Sequence, residues 1–225
     1  MQPRFLGQLG LADAVTVANA ALGFAAAAVA AADPTLAARL VLLAAIADGL
    51  DGVVARTRGG TPVGDHLDSL ADVASFGVAP AVLVHAVART GTDGSPAATA
   101  VAVGVPTMFV AMAVVRLGFY MLEDRHAEET EGVQTTLAAT ILAVAYLAGI
   151  TDPPVLLAAV AVFTYLMVAP VTYPELYARD ALVLGGLQAL AVLFPEVGGR
   201  VFPRSLLLFA VGYLLLAPFV YWRDG

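Results

Sequence analysis

The run Asp48-Gly-Leu-Asp51-Gly52-Val-Val-Ala55-Arg56, followed after seven residues by Gly64-Asp65-His66-Leu67-Asp68-Ser-Leu-Ala-Asp72, sets four aspartates at helical spacing between apolar stretches. A helix turns by about 100° per residue. Asp48, Asp51, Gly52 and Ala55 therefore fall on one face, and Gly64, Asp68 and Asp72 stack at i, i+4 and i+8 on another. Two helices joined by a short loop can aim the four carboxylates Asp48, Asp51, Asp68 and Asp72 at one point. Asp65 lies by that loop and is expected to be solvated.

The rest of the chain explains why such a cluster is unusual. Of 225 residues 60% are hydrophobic and only 13% charged, and the mean hydropathy is +0.86, far from an ordinary soluble domain. Apolar stretches at roughly 14–32, 36–57, 66–89, 97–122, 133–151, 154–172, 180–196 and 203–222 make eight candidate spans, since a membrane helix needs about 20 residues. The expected fold is all-α: a polytopic membrane bundle of about eight transmembrane helices, with the active site between helices 1–3 and their neighbours. The connecting segments are short, so residues 1–225 read as one membrane domain with C-terminal helices at 180–222. No cleaved signal peptide is evident.

Charged residues near the centre of a membrane helix each cost a few kcal/mol, so the acids of the second and third spans must face a wet cavity or the protein interior. Four carboxylates gathered at low dielectric repel one another unless divalent cations neutralise them. All-oxygen ligands suit hard ions such as Mg²⁺, Mn²⁺ or Ca²⁺. Cysteine is absent and His66, His85 and His126 lie outside the pattern, which argues against zinc or a soft metal.

The net charge of −7 and pI near 4.7 disfavour a nucleic-acid partner. All eleven basic residues are arginine. An acidic chain without lysine resembles proteins of salt-loving archaea, although a GC-rich genome produces part of the same bias. If the loop holding Arg56 and Arg58 is cytoplasmic, Arg4, Arg116, Arg125, Arg179 and Arg223 join it, with Arg39, Arg89, Arg200 and Arg204 outside. That bias predicts a multi-pass protein of the cell membrane whose active site faces the cytoplasm.

Asp-x-x-Asp-Gly-x-x-Ala-Arg, seven residues, then Gly-x-x-x-Asp-x-x-x-Asp resembles the signature of the CDP-alcohol phosphotransferase family. All eight fixed positions are present: Asp48, Asp51, Gly52, Ala55, Arg56, Gly64, Asp68 and Asp72. Thr16-Val-Ala-Asn19-Ala-Ala-Leu-Gly23 and the stretch from Leu67 to Pro80 resemble the serine-using branch. Arg116-Leu-Gly-Phe and Gly132-Val-Gln-Thr-Thr match more loosely, and Gly118 to Tyr120 depart from the usual Arg-x-x-Arg-Phe-Asn pattern.

The resemblance implies an integral membrane enzyme that moves a lipid phosphoryl group from a CDP-lipid to the hydroxyl of L-serine, releasing CMP. It implies Asp48, Asp51, Asp68 and Asp72 as ligands of Mg²⁺ or Mn²⁺, two ions in all, with Asp72 also the base. Asp51, Gly52, Ala55, Arg56 and Gly64 would hold CDP. The halophilic composition suggests CDP-archaeol as donor rather than CDP-diacylglycerol. Family enzymes are often dimers, and small-residue helix faces here permit a homodimer.

Other polar residues have blander readings beside sharper ones. Arg116 binds an acceptor carboxylate or phosphate, or simply snorkels. Thr16 and Asn19 line a nucleotide pocket or make interhelical hydrogen bonds. The acidic segment Glu123 to Glu131 is a solvated loop or a gate. Tyr173, Tyr177, Tyr221 and Trp222 suit an aromatic belt. Rival functions are transfer to glycerol phosphate or inositol phosphate, and cation transport through a carboxylate-lined path.

Overall fold

The computed structural model describes residues 8–91, 94–123, 129–174 and 176–221. Arg4, Asp124, Arg125, His126, Glu128, Trp222 and Arg223 lie outside them. In chain order the elements are α1 (Leu11–Val29), α2 (Pro34–Arg58), α3 (Gly64–Asp72), a π-helical segment (Val73–Val78), α4 (Ala79–Thr90), α5 (Pro96–Glu123), β1 (Glu129–Glu131), α6 (Thr135–Ala148), α7 (Pro153–Leu166), β2 (Thr172–Pro174), α8 (Ala178–Leu193) and α9 (Val197–Val220). Because α3, the π segment and α4 run on without a break, the described residues contain eight helical rods, close to the eight stretches expected from hydropathy.

Local chemistry sets several ends. Asp33 caps α2 by accepting from the Leu36 amide at 2.8 Å, with Pro34 at the first helical position, where its missing N–H costs nothing. Gly149 closes α6 in the left-handed conformation. The α6 rod is only 14 residues, shorter than the expected 133–151. Its start is displaced by β1 and Gly132, which carries φ +73°, donates to the Val171 carbonyl at 2.8 Å, and leaves no room for a Cβ against the Met167 carbonyl. That turn lets β1 pair antiparallel with β2, Thr130 opposite Tyr173. Hydropathy alone does not predict this short strap.

The π segment sits one residue past Asp72, inside what hydropathy reads as a regular span. Pro80 has no N–H, and its ring crowds the carbonyl four residues back, at Phe76. A widened turn just before the proline relieves both.

The packing is that of a protein in lipid. Phe24, Leu182, Leu208 and Phe219 point outward at 72% exposure or more, while Asp13, Asp51, Asp72 and Arg116 are buried. Among the described residues, four helical stretches are long and apolar enough to cross a membrane, Leu11–Val29, Gly64–Thr90, Pro96–Met121 and Val197–Val220, with Thr135–Ala148 and Pro153–Leu166 as shorter apolar helices. The protein is a polytopic, all-α membrane bundle. The 25-residue α2 is long enough as well, but Arg39, Asp48, Asp51, Arg56 and Arg58 lower its apolarity. It is sheltered instead, lying along α1 and also packed against α6 and α8.

Buried alanines at positions 26, 30, 37, 38 and 44 let α1 and α2 approach closely. α6 is buried around almost its whole circumference and packs on α2 and α9. α8 is fastened to α2 by polar contacts: the Gln188 amide donates to the Leu42 carbonyl at 2.7 Å, and Arg39 Nε donates to the Val192 carbonyl at 2.7 Å. Since successive rods alternate in direction, the start of α1, the end of α2, the start of α3, the end of α5, the strap and the end of α9 gather at one end of the bundle. Among the described arginines, Arg56, Arg58, Arg116 and Arg179 belong to this end and Arg39, Arg89, Arg200 and Arg204 to the other.

Candidate functional site

At that end, Asp48 of α2 and Asp68 and Asp72 of α3 offer carboxylate oxygens that all lie within 4.8 Å of one another. Asp48 and Asp68 are half-buried and Asp72 is buried, with its Oδ1 lacking a hydrogen-bond partner. Three acids so placed, one with an unsatisfied oxygen, fit a hard divalent cation, which would satisfy that atom and offset the repulsion. The i, i+4 relation of Asp68 and Asp72 holds because the π turn begins only after Asp72.

Asp51 stands outside the tight group. It shares the α2 face, but its Oδ2 accepts a 2.7 Å hydrogen bond from Thr16 Oγ1 of α1, while remaining close enough to act on the charges of Asp48 and Asp68. Thr16 thus makes an interhelical bond to a signature carboxylate. Asn19, one turn further along α1, is wholly buried with neither end of its side-chain amide partnered. Its backbone carbonyl accepts from Ser75 Oγ at 2.8 Å.

The small residues of the signature line the same region. A Cβ on Gly52 would touch the Arg56 guanidinium at 3.4 Å, so Arg56 reaches back over Gly52 with its head exposed. Ala55 is half-buried one turn on. Gly64 is tight for another reason: a Cβ there would come within 3.2 Å of Asp13 Oδ1.

Asp13 escapes any reading based on the signature spacing. It is 1% exposed, and its Oδ2 accepts from the Gly10 amide at 2.7 Å and from Thr61 Oγ1 at 2.8 Å. It therefore caps α1 and ties it to the loop between α2 and α3. The available signal was an acid in the first turn of a helix after a glycine.

Arg116 does not snorkel. It is 8% exposed, its Nη2 donates to Thr130 Oγ1 at 3.2 Å, and its charge acts on Asp72. Asp65 and His66 are exposed, as expected of the loop edge. Tyr173, Tyr177 and Tyr221 are bound into the protein rather than merely facing the interface: Tyr173 donates to the Leu214 carbonyl at 3.2 Å, and the Tyr221 hydroxyl accepts from the Tyr177 amide at 3.1 Å while donating to Asp180.

The family model for CDP-alcohol phosphatidyltransferase matches residues 9–173, from before Asp13 into the second strand of the strap. The chain belongs to this family. Among similar proteins, the archaetidylserine synthase of Methanothermobacter thermautotrophicus is 30% identical over 139 residues, covering 60% of this chain and 57% of that protein. A CDP-diacylglycerol–serine O-phosphatidyltransferase of Mycobacterium leprae is 54% identical over 54 residues, covering 24% of this chain and 18% of that protein. Another protein of that name, from Methanocaldococcus jannaschii, is 53% identical over 47 residues, or 20% of this chain and 23% of the relative. The matched segments thus span less than two thirds of each relative. In this CDP-alcohol phosphatidyltransferase family member, α8 and α9 lie beyond the family match.

Proposed function

We propose that this membrane protein transfers a lipid phosphoryl group from a CDP-activated lipid to the hydroxyl of L-serine and releases CMP. The observation that carries the proposal is the convergence of the Asp48, Asp68 and Asp72 carboxylates within 4.8 Å, on the helix pair that also carries the small residues Gly52 and Ala55 and the exposed Arg56. Serine as acceptor is supported by the names of the relatives and by the Leu67 to Pro80 stretch. CDP-archaeol as donor is supported by the lysine-free acidic composition and by the archaetidylserine synthase likeness. The whole chain, 1–225, is taken as one unit.

Asp48, Asp51, Asp68 and Asp72 would hold two divalent ions, Mg²⁺ or Mn²⁺, which when bound supply charge neutralisation of the pyrophosphate and of the departing CMP. The remaining steps belong to the protein. Gly52 and Ala55 present little bulk to the nucleotide and phosphates, Gly64, whose missing Cβ gives its space to Asp13, offers them its backbone, and Arg56 offers a bidentate contact to a phosphate. Asp72 takes the proton from the serine hydroxyl. The serine oxygen bonds to the lipid-side phosphorus as the bond from that phosphorus to the CMP oxygen breaks. Arg116, beside Asp72, orients the acceptor. The site opens toward the cytoplasm, where serine and CDP-lipid head groups are accessible.

The test is CMP release by purified protein with CDP-archaeol or CDP-diacylglycerol and Mg²⁺ or Mn²⁺, with serine, glycerol 3-phosphate or inositol 1-phosphate as acceptor. Serine-dependent release, lost in Asp72→Asn, is expected. Release only with a phosphorylated alcohol overturns the acceptor, and no release with any acceptor overturns the enzyme assignment in favour of a carboxylate-lined cation path.

A further inference from the structure

A cavity of about 260 Å³ lies at the same end of the bundle, lined by Arg116, Tyr120 and Glu131 together with apolar side chains of α5 and residues 167–169. Among the described residues that line it, the two charged ones have opposite sign. Arg116 is buried and lines this cavity, and its charge also acts on Asp72, which links the cavity to the carboxylate cluster electrostatically. Glu131 is exposed, which puts the acid toward the aqueous mouth. Tyr120, half-buried, stands 5.7 Å from ring centroid to the Arg116 guanidinium.

The position of Glu131 is not that of a loose acidic loop. Its backbone pairs with Thr172 in the β1–β2 ladder, the next residue is the left-handed Gly132, and Val133 donates to the Leu166 carbonyl at 3.0 Å. The preceding residue, Thr130, is buried and accepts from Arg116. The strap therefore fixes the backbone that carries the Glu131 carboxylate and, through Thr130, contacts the Arg116 guanidinium of α5, so that opposite charges line one small cavity, a pattern complementary to a zwitterion.

We propose that Glu131 determines acceptor specificity by taking the ammonium of an α-amino acid whose carboxylate faces Arg116. This rests on the serine-acceptor reading above and adds to it the group that rejects acceptors lacking an amine. The same chemistry is offered by free serine and by the serine head group of the lipid product. Free serine is the occupant in the forward reaction.

The experiment compares wild type, Glu131→Gln and Glu131→Asp in CMP release with CDP-lipid and either L-serine or 3-hydroxypropionate, which keeps the hydroxyl and carboxylate but lacks the amine. For Glu131→Gln the serine KM is expected to rise about fivefold, the size of a partly exposed charge contact, with kcat and the CDP-lipid KM unchanged. The preference for serine over 3-hydroxypropionate should narrow by the same factor, and Glu131→Asp should recover part of it. A damaged fold would instead raise the CDP-lipid KM and weaken both acceptors alike, which counts against the proposal. Inhibition by the serine-lipid product, weakened in Glu131→Gln with an unchanged serine KM, would assign the cavity to the lipid head group and overturn the free-serine site. If wild type uses serine and Glu131→Gln keeps both its KM and its preference, the Glu131 assignment alone falls. If wild type releases no CMP with serine, the functional reading itself falls.

Discussion

Thr16 on α1 donates a 2.7 Å hydrogen bond to the Asp51 carboxylate on α2. Both residues are buried, so the bond fixes which way Asp51 faces relative to Asp48 and Asp68. A hydrogen bond to a charged group contributes about 1.5–3 kcal/mol, and about 1.4 kcal/mol corresponds to a factor of ten. Thr16→Val is therefore expected to raise the Mg²⁺ concentration needed for half-maximal CMP release by about tenfold, and Thr16→Ser to restore it. An unchanged Mg²⁺ dependence in Thr16→Val would remove Thr16 from the positioning of Asp51.

Asp13 accepts from both Gly10 and Thr61, joining a helix cap to the loop before α3. Loss of a cap costs about 1 kcal/mol, and residues sharing one hydrogen bond do not act additively. Asp13→Ala should lower the thermal midpoint of the detergent-solubilised protein more than Thr61→Val does. The double variant should be no worse than Asp13→Ala by the full Thr61→Val effect. Strict additivity in that cycle would show that the Asp13–Thr61 bond carries no stability.

A Cβ on Gly23 would lie 2.5 Å from Ser75 Oγ and 2.6 Å from Ser75 Cα, and backbone cannot move aside cheaply. Gly23→Ala should cost about 1–3 kcal/mol through overpacking, despite the roughly 1 kcal/mol that alanine adds within a helix. Gly104→Ala and Gly212→Ala, where nothing lies within 4 Å of the new Cβ, should be neutral or stabilising in the same thermal scan. Equal behaviour at all three positions would contradict the close approach of α1 to the π segment.

Cation binding should be visible without turnover. Asp48, Asp68 and Asp72 crowd negative charge into one place, so a divalent ion that binds only the folded protein stabilises it by about 2.7 kcal/mol at a hundredfold excess over Kd. Mg²⁺ or Mn²⁺ is expected to raise the thermal midpoint of wild type and a chelator to reverse the rise. Asp68→Asn should raise the cation-free midpoint, because one repelling charge is gone, and shrink the cation-induced rise. A full cation response in Asp68→Asn would exclude that carboxylate as a ligand.

Much of the site is legible in one dimension because helix geometry is local. The intervals from Asp48 to Asp51 and from Gly64 through Asp68 to Asp72 set which residues share a face, and the intervening seven residues are short enough to fold the two faces together. The eight apolar stretches likewise follow from the requirement that a bilayer-spanning rod present carbon to lipid.

Other features depend on contacts between distant segments. Asp51 leaves the tight carboxylate trio because Thr16 faces it from α1, and no spacing within α2 encodes that. Asp13 reads as an ordinary first-turn acid until Thr61 is seen against it, and Arg116 reads equally as an acceptor-binding or a snorkelling arginine until its burial against Thr130 is seen. The π turn has a trace in the sequence, Pro80, but whether a proline bends, breaks or widens its helix is decided by what packs beside it. The chain's periodicity and composition thus settled the membrane bundle and the facing of the signature acids, since both arise from neighbours a few residues apart. Packing across α1, α5 and the β1–β2 strap decided which acids sit together, which are hydrogen-bonded away, and where a buried guanidinium meets an exposed carboxylate, since those contacts join residues that only the fold brings within reach.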